Sequence, residues 1–278
     1  MHVASLHLYP VKSLRGISVS VLEADRFGIA GDRRFMVVDD STSKVLTQRT
    51  APGMAVIATA LDHGLLQLTA PGGDTVSIPT QPADGPERSV TVWKDTVTAV
   101  DCGNVVAQFL SDRLGQACRL VQVGAHFSRT VRFKAGYIPA PSPVALEVGF
   151  ADAYPALIVS EASLSSLNDR LLEKGEEPVP MDRFRPNIVI ACSEAFSEDT
   201  WQRFQIGGWT FWNSGPCARC TVTTTDQATA RRGKEPLATL AQFRRDPNDQ
   251  SQVNFGQNAA IVSHSGPCRL GDVVHLLT

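Results

Sequence analysis

Residues 54–79 read MAVIATALDHGLLQLTAPGGDTVSIP. Three runs with alternating or β-branched character, 54–61, 65–70 and 75–79, follow one another with only turn residues between them, APGGD among them. In a parallel βαβ repeat a helical pattern would separate the strands; here the next element is another strand, so this region is a small sheet or barrel. Outward in both directions the pattern persists. VASLHLY, ISVSVLEAD and RFMVVDD precede it, and SVTVW and TVTAVDC follow, with TQPADGPE as a further turn segment.

At 104–116 the period changes. NVVAQFLSDRLGQ places Val106, Phe109, Leu110 and Leu114 on one helical face, with Asn104 as the candidate N-cap and Gly115 as the stop. CRLVQV returns to strand. Residues 124–145 are polar, Pro-rich and dotted with aromatics, which predicts a long loop and the boundary zone between a unit at 1–123 and one at 124–278. Beyond it SEASLSSLNDRLLEKG is the clearest helix, capped by Ser160, with Leu164, Leu167 and Leu171 on a common face and Gly175 at its end. EPLATLAQFRR predicts a short helix with Pro236 near its first turn, and RPNIVIAC, WTFWN, CTVTTTD, NAAIVSH and DVVHLL predict strands. The fold class is α+β, sheet-dominated, in two lobes.

Composition narrows the function. The 278 residues carry 26 Lys and Arg against 28 Asp and Glu, a net charge of −2, so there is no bulk basic excess for non-specific nucleic-acid binding. No apolar run approaches the ~20 residues of a membrane span, and the N-terminus has neither the basic nor the continuous apolar region of a signal peptide. The six cysteines, at 102, 118, 192, 217, 220 and 268, are too sparse for a secreted disulfide framework. A cytoplasmic protein with reduced thiols is expected, binding neither nucleic acid nor membrane. Phosphate-binding glycine motifs and G-x-S-x-G are absent, and no His pair stands at i, i+4. His126, in the long loop, is the one histidine to watch.

Two constellations carry chemistry. The first is Cys217-x-x-Cys220. A structural zinc site needs about four ligands, and only His264 and Cys268 are at hand to complete one. A thioredoxin-like dithiol would open a helix, whereas this one runs into TVTTT. The spacing leaves open a pair of small buried side chains, half of a zinc site, and one working thiolate; Arg219 between the cysteines favours a thiolate, because a neighbouring cation lowers a thiol pKa. The second constellation is cationic. Lys12 and Ser13 follow the first strand, Arg33 and Arg34 precede another, and Arg183, Arg185 and Asn187 precede a third. Arg grips phosphate through paired hydrogen bonds and Lys adds a point charge, so an anion held at strand ends is one reading, and solvated surface charge the other.

Taken together, LYPVKSLRG, GDRRFMVVD, DAYPALIVSEASLSSLN, DRFRPNIVI and GPCARCTVTTTD with GKEPLATLAQFRR resemble the MOSC family, in the branch with an N-terminal MOSC-associated β-barrel that includes the mitochondrial amidoxime-reducing component. The resemblance spans essentially the whole chain. It implies an N-terminal β-barrel-like domain followed by a MOSC β-barrel domain with a few flanking helices. It also implies a molybdenum cofactor (Mo-molybdopterin) ligated by the second cysteine of the motif, Cys220, which would be both metal ligand and catalytic residue, with Cys217 as a supporting neighbour. Matched position by position, Lys12, Ser13, Arg33, Arg185 and Asn187 would hold the pterin and its phosphate, with Arg219 hydrogen-bonding the cofactor and Tyr154 contributing backbone groups. Asn258 stands where relatives often carry an aromatic. The reaction implied is two-electron reduction of N-hydroxylated compounds (hydroxylamines, amidoximes, N-hydroxylated bases); the alternative is a cofactor carrier or sulfur-handling protein using Cys220 as a persulfide. No C-x4-C-x2-C iron–sulfur motif occurs, so a separate ferredoxin- or flavoprotein-type electron donor is expected. The 124–145 loop is a candidate wall of the pocket, and Asp226 has no assigned role.

Overall fold

The computed structural model of the protein describes residues 1–81, 85–134, 136–137 and 146–277. Its backbone is an eight-stranded sheet that runs, edge to edge, Val274–Leu277, Arg203–Ile206, Trp209–Ala218, Asn254–His264, Ala156–Ser160, Ile188–Ala191, His2–Leu8 and Ile17–Val19. Ala156–Ser160 and Ile188–Ala191 are parallel neighbours joined by a helix; the other pairings are antiparallel. His2, on the strand next to the Ile17–Val19 edge, bridges Val273, one residue ahead of the opposite edge strand, so the sheet curls back on itself. The first strand of the chain thus sits beside Ile188–Ala191, and the stretches on either side of residue 123 share this sheet.

Residues 35–122 build the second unit. A four-stranded sheet, Glu87–Val92, Asp95–Asp101, Cys118–Gln122 and Phe35–Asp39, lies with the three-stranded meander Ala58–Asp62, Leu65–Thr69 and Thr75–Pro79. The meander falls within the quoted stretch, with its second and third strands where the sequence places them. Helix α1 (Asn104–Leu114) packs Val106, Phe109 and Leu110 over Leu66, Leu68 and Leu120. Each such fully buried side chain stabilises the fold by roughly 1.5–3 kcal/mol. Helix α2 (Glu161–Glu173) is capped by Ser160, whose Oγ accepts from Ser163 N at 3.1 Å, and buries Leu167 and Leu171. Helix α3 (Leu237–Phe243) follows Pro236, its N-cap. No helix among the described residues is long and apolar enough to cross a membrane.

Several local expectations are corrected. TVTTT is not a strand: Thr221–Thr224 forms a 3-10 turn. The Thr223 and Thr224 hydroxyls donate to the carbonyls of Cys220 and Thr221 at 2.9 and 2.8 Å, and these local bonds outweigh the β preference of threonine. Pro52–Val56 is likewise a 3-10 helix, so the first strand of the meander starts at Ala58. The cap of α1 is Gly103, not Asn104, whose Oδ1 instead accepts from Arg119 at 2.9 Å. ISVSVLEAD breaks into Ile17–Val19, Val21–Leu22 and Ala24–Asp25. Ala156–Ser160 is a strand that pattern reading passed over. It is buried at every position, so it lacks the alternation of a half-exposed strand.

Candidate functional site

The two units meet at a cleft lined by strand ends. Lys12 and Ser13 come from beyond the first strand, Arg33 from ahead of Phe35–Asp39 and Tyr154 from ahead of Ala156–Ser160. Arg185 and Asn187 precede Ile188–Ala191, Cys217, Arg219 and Cys220 end the long strand at Ala218, and Asn258 lies on the strand beside it. These ten residues all line this one cleft.

Its backbone is strained at several lining positions. Ser13, Arg33 and Arg185 have φ of 69°, 46° and 54°, left-handed values that cost a non-glycine residue about 1 kcal/mol or more. Arg185 also precedes Pro186, where an extended conformation is the usual one. Trp93, at the mouth, is left-handed too, with φ of 56°.

The cations are held by a buried scaffold. Asp32 accepts from Arg33 Nη1 at 2.6 Å, from Asn187 Nδ2 at 3.0 Å and from Tyr9 N at 2.9 Å. Asn187 Oδ1 accepts from Arg33 Nη1 at 3.0 Å and Leu157 N at 3.2 Å, while its Nδ2 also donates to the His7 carbonyl. Asn187 therefore touches the cleft with its amide fully committed to this scaffold, one of its bonds being to Arg33. The Arg33 and Arg185 guanidiniums both lie against the Tyr9 ring, 4.4 and 4.3 Å from its centroid. Burial pushes the Tyr9 hydroxyl up to about 12.

Arg185 is the informative member. Its Nη1 donates to the Leu14 carbonyl at 2.7 Å, but its buried Nη2 has no partner. Burial pulls its pKa down to about 10. A buried donor left without an acceptor is costly and marks a place where an acceptor belongs. Lys12 donates to the Phe150 carbonyl at 2.8 Å and to the Asp152 carboxylate, which also accepts from Trp93 Nε1 at 3.1 Å. Burial lowers the Lys12 pKa against the opposing pull of Asp152, and the nearby Arg129 and Arg33 charges act in the same direction as burial. At Asp152 the upward effect of desolvation is outweighed by Lys12, and the carboxyl stays below its ordinary range.

At the other wall Arg219 Nη1 donates to Cys217 Sγ at 3.0 Å and Nη2 to the Phe184 carbonyl at 2.7 Å; its Nε is buried without a partner. The cation between the two cysteines is thus bound to the first. Cys220 caps the Thr221–Thr224 turn through its carbonyl and leaves its thiol on the cleft. Cys268, one of the two further ligands a zinc site would have needed, is fully buried in the main core with its thiol raised to about 12 by burial and then by Asp272. Among the described residues no group of three or more His, Cys, Asp or Glu could hold a metal.

Other candidates lie elsewhere. His126 pairs with Glu87 at the surface, 2.6 Å, and Arg34 with Asp25 at 2.5 Å. Arg183 pairs with Asp226 at 2.9 Å, which gives Asp226 a structural partner outside the cleft lining. Of the 124–145 loop, residues 135 and 138–145 are outside the described residues, and none of the rest lines the cleft. The Tyr154 hydroxyl holds that segment instead, accepting from Lys134 N at 3.2 Å and donating to the Arg132 carbonyl at 3.3 Å. Sequence reading missed Asp32, Arg49, Trp93 and Asp152. Asp32 could have been suspected from its place beside Arg33, while Trp93 and Asp152 belong to segments whose meeting only the fold reveals.

The donor set suits an anionic, thiolate-ligated group: unpartnered buried Arg185 and Arg219 nitrogens, a buried Lys12 and one thiol at hand. Residues 1–117 match the MOSC N-terminal beta barrel domain and residues 145–275 the MOSC domain. The chain is 36% identical to the mitochondrial amidoxime-reducing component 1 of Mus musculus, with 99% of this chain and 82% of that one aligned. It is 32% identical to its Homo sapiens counterpart at the same coverage. It is also 31% identical to the molybdenum cofactor sulfurase of Danio rerio, over 91% of this chain and 31% of that protein.

Proposed function

Because the chain belongs to the MOSC family, in the form that joins a MOSC N-terminal β-barrel domain to a MOSC domain, it is a molybdenum-cofactor protein, and we propose that it reduces N-hydroxylated compounds. The observation that carries this reading is the convergence of Cys220 with Arg185, whose buried Nη2 lacks an acceptor, in one cleft.

Cys220 would ligate the metal through its thiolate, a soft donor of the kind such metals take. Arg185 Nη2 would grip a phosphate oxygen, with Lys12 and the Ser13 hydroxyl beside it and Arg33 and Arg219 facing the pterin. Asn187 and Asp32 keep Arg33 aimed, and Asn258, whose Nδ2 donates to the Pro216 carbonyl at 3.2 Å, steadies the cysteine-bearing strand end. When bound, the cofactor supplies the two-electron chemistry by which a hydroxylamine, amidoxime or N-hydroxylated base, with two electrons and two protons, gives the N–H compound and water. The sequence holds no iron–sulfur motif, so those electrons come from another domain or an electron-transfer protein. The six cysteines are all unpaired, which supports a reducing compartment such as the cytosol.

A second reading rests on the match to the molybdenum cofactor sulfurase, in which Cys220 would carry sulfur as a persulfide. The deciding experiment is elemental analysis of protein from a host that makes the cofactor, coupled to turnover of benzamidoxime by reduced viologen. Molybdenum near one per chain with turnover, both lost in Cys220→Ala, supports the reductase. Molybdenum without turnover, with a persulfide on Cys220, favours the second reading. Protein without molybdenum refutes both.

A further inference from the structure

Arg129 belongs to none of the motifs above and contacts no cofactor position, yet its side chain is one of the most heavily bonded in the protein. It is 7% exposed. Its Nη1 donates to the carbonyls of Gly149 and Ala151 at 3.0 and 2.5 Å, its Nη2 to the carbonyl of Asp152 at 2.9 Å, and its Nε to Asp95 Oδ2 at 2.7 Å. A guanidinium is the one side chain that can bind three carbonyls and a carboxylate at once, because its five N–H donors are fixed in a plane.

What those carbonyls belong to gives the arrangement its meaning. The strap 149–152 supplies both acceptors of Lys12, the Phe150 carbonyl and the Asp152 carboxylate. Phe150 N also donates to the Arg33 carbonyl at 2.8 Å, so the same strap fixes the backbone of a left-handed cleft arginine. It runs so close that a Cβ at Gly149 would sit 2.9 Å from the Arg33 carbonyl oxygen. At the other end, Asp95 and Trp93 share one hairpin turn, and Trp93 Nε1 bonds Asp152 while Asp95 bonds Arg129. The turn, the strap and the Lys12 ammonium form one assembly with Arg129 at its centre.

We propose that Arg129 is a positioning residue: by holding strap 149–152 against the Trp93–Asp95 turn it keeps the Lys12 ammonium buried and aimed into the cleft, and thereby sets how tightly the cleft retains its anionic cofactor. The second half of this statement rests on the cofactor reading of the cleft; the first half does not.

The test separates the two. Cofactor-free protein is labelled with acetic anhydride and Lys12 is followed by mass spectrometry against the exposed Lys44 and Lys234; molybdenum per chain is measured in parallel on protein from a cofactor-making host. In Arg129→Met the acetylation rate of Lys12 relative to the two references rises about tenfold and molybdenum occupancy falls about tenfold, the scale of one charge-assisted hydrogen bond. Asp95→Asn, which loosens the clasp and leaves the carbonyl bonds, shifts both in the same direction by less, and Arg129→Lys recovers part of each. Should Arg129→Met fail to fold, Asp95→Asn decides. Lys12 labelled at the wild-type rate in folded variants overturns the proposal, as does a rise shared equally by Lys44 and Lys234, which would show general loosening. A selective rise at Lys12 with unchanged molybdenum supports the positioning role and counts against Lys12 as a cofactor ligand.

Discussion

Arg219 Nη1 lies 3.0 Å from Cys217 Sγ, so the cation placed between the two cysteines by the sequence serves the first of them. Cys220 is left with its thiol on the cleft and no side-chain partner among the described residues. This division predicts an asymmetry. Cys220→Ala should lose molybdenum and turnover together. Cys217→Ala should keep most of both, at a cost of about 1 kcal/mol in stability for the lost hydrogen bond to a charged donor. Parallel metal analysis and urea unfolding of the two variants check it, and equal molybdenum loss from both would sink the single-ligand assignment.

Arg185 predicts an opposition between stability and cofactor retention. Its cation is buried with one nitrogen unpartnered, a costly arrangement in the cofactor-free protein. Removing a buried charge that lacks a full set of partners removes its desolvation penalty together with its single hydrogen bond, to the Leu14 carbonyl, and the two changes offset each other. Arg185→Met should therefore unfold no more easily than the wild type when cofactor-free, yet copurify with little molybdenum. A variant that is much less stable and still holds its metal would contradict the role given to Arg185.

The strand-rich architecture and the cleft were legible in the sequence to different depths and for different reasons. The meander at 58–79 was readable because its strands alternate and its turns carry Gly and Asp. The cap at Ser160 was readable because the serine precedes a helical period. Thr221–Thr224 was misread because intrinsic β preference is a weak prior against hydroxyls that can bond to carbonyls three residues back. Lys12, Arg33 and Arg185 stood out as charges at strand ends, and a family pattern grouped them. Trp93, Asp152 and Arg129 did not, because each becomes meaningful only when segments from distant parts of the chain are brought together: Trp93 Nε1 reaches Asp152, and Arg129 reaches Asp95. Single-sequence reading has no access to such long-range pairings.

Asp39 supplies a test in acid. Its Oδ1 accepts from Ser41 Oγ at 2.7 Å and from Thr42 N and Oγ1, each at 2.8 Å, and these bonds hold its pKa at about 2 against an ordinary 3.8. A carboxylate whose folded pKa is depressed stabilises the fold above the unfolded pKa, and that contribution disappears as pH falls through the folded value. Wild type should therefore be more stable than Asp39→Asn at pH 5, with the gap closing between pH 3.8 and about 2. Thermal unfolding across this range reads it directly. A gap that widens in acid would mean the turn is held by something other than the ionised carboxyl.

Asn187 predicts a variant whose damage spreads from scaffold to site. Its amide accepts from Arg33 and Leu157 N and donates to Asp32 and the His7 carbonyl, and the residue is 1% exposed. Asn187→Ala leaves the Leu157 N–H buried without its acceptor and removes one of the groups that aim Arg33. Each unsatisfied buried group costs about 1–3 kcal/mol, so a loss of about 3 kcal/mol in urea unfolding is expected. Arg33 keeps Asp32, so its charge remains while its direction is freed. Molybdenum retention should fall accordingly, and by less than in Arg185→Met, because the phosphate-facing Nη2 of Arg185 is untouched. If Asn187→Ala instead lost all its metal while unfolding like the wild type, the amide would have to contact the cofactor itself, and its committed hydrogen bonds would have to open to do so.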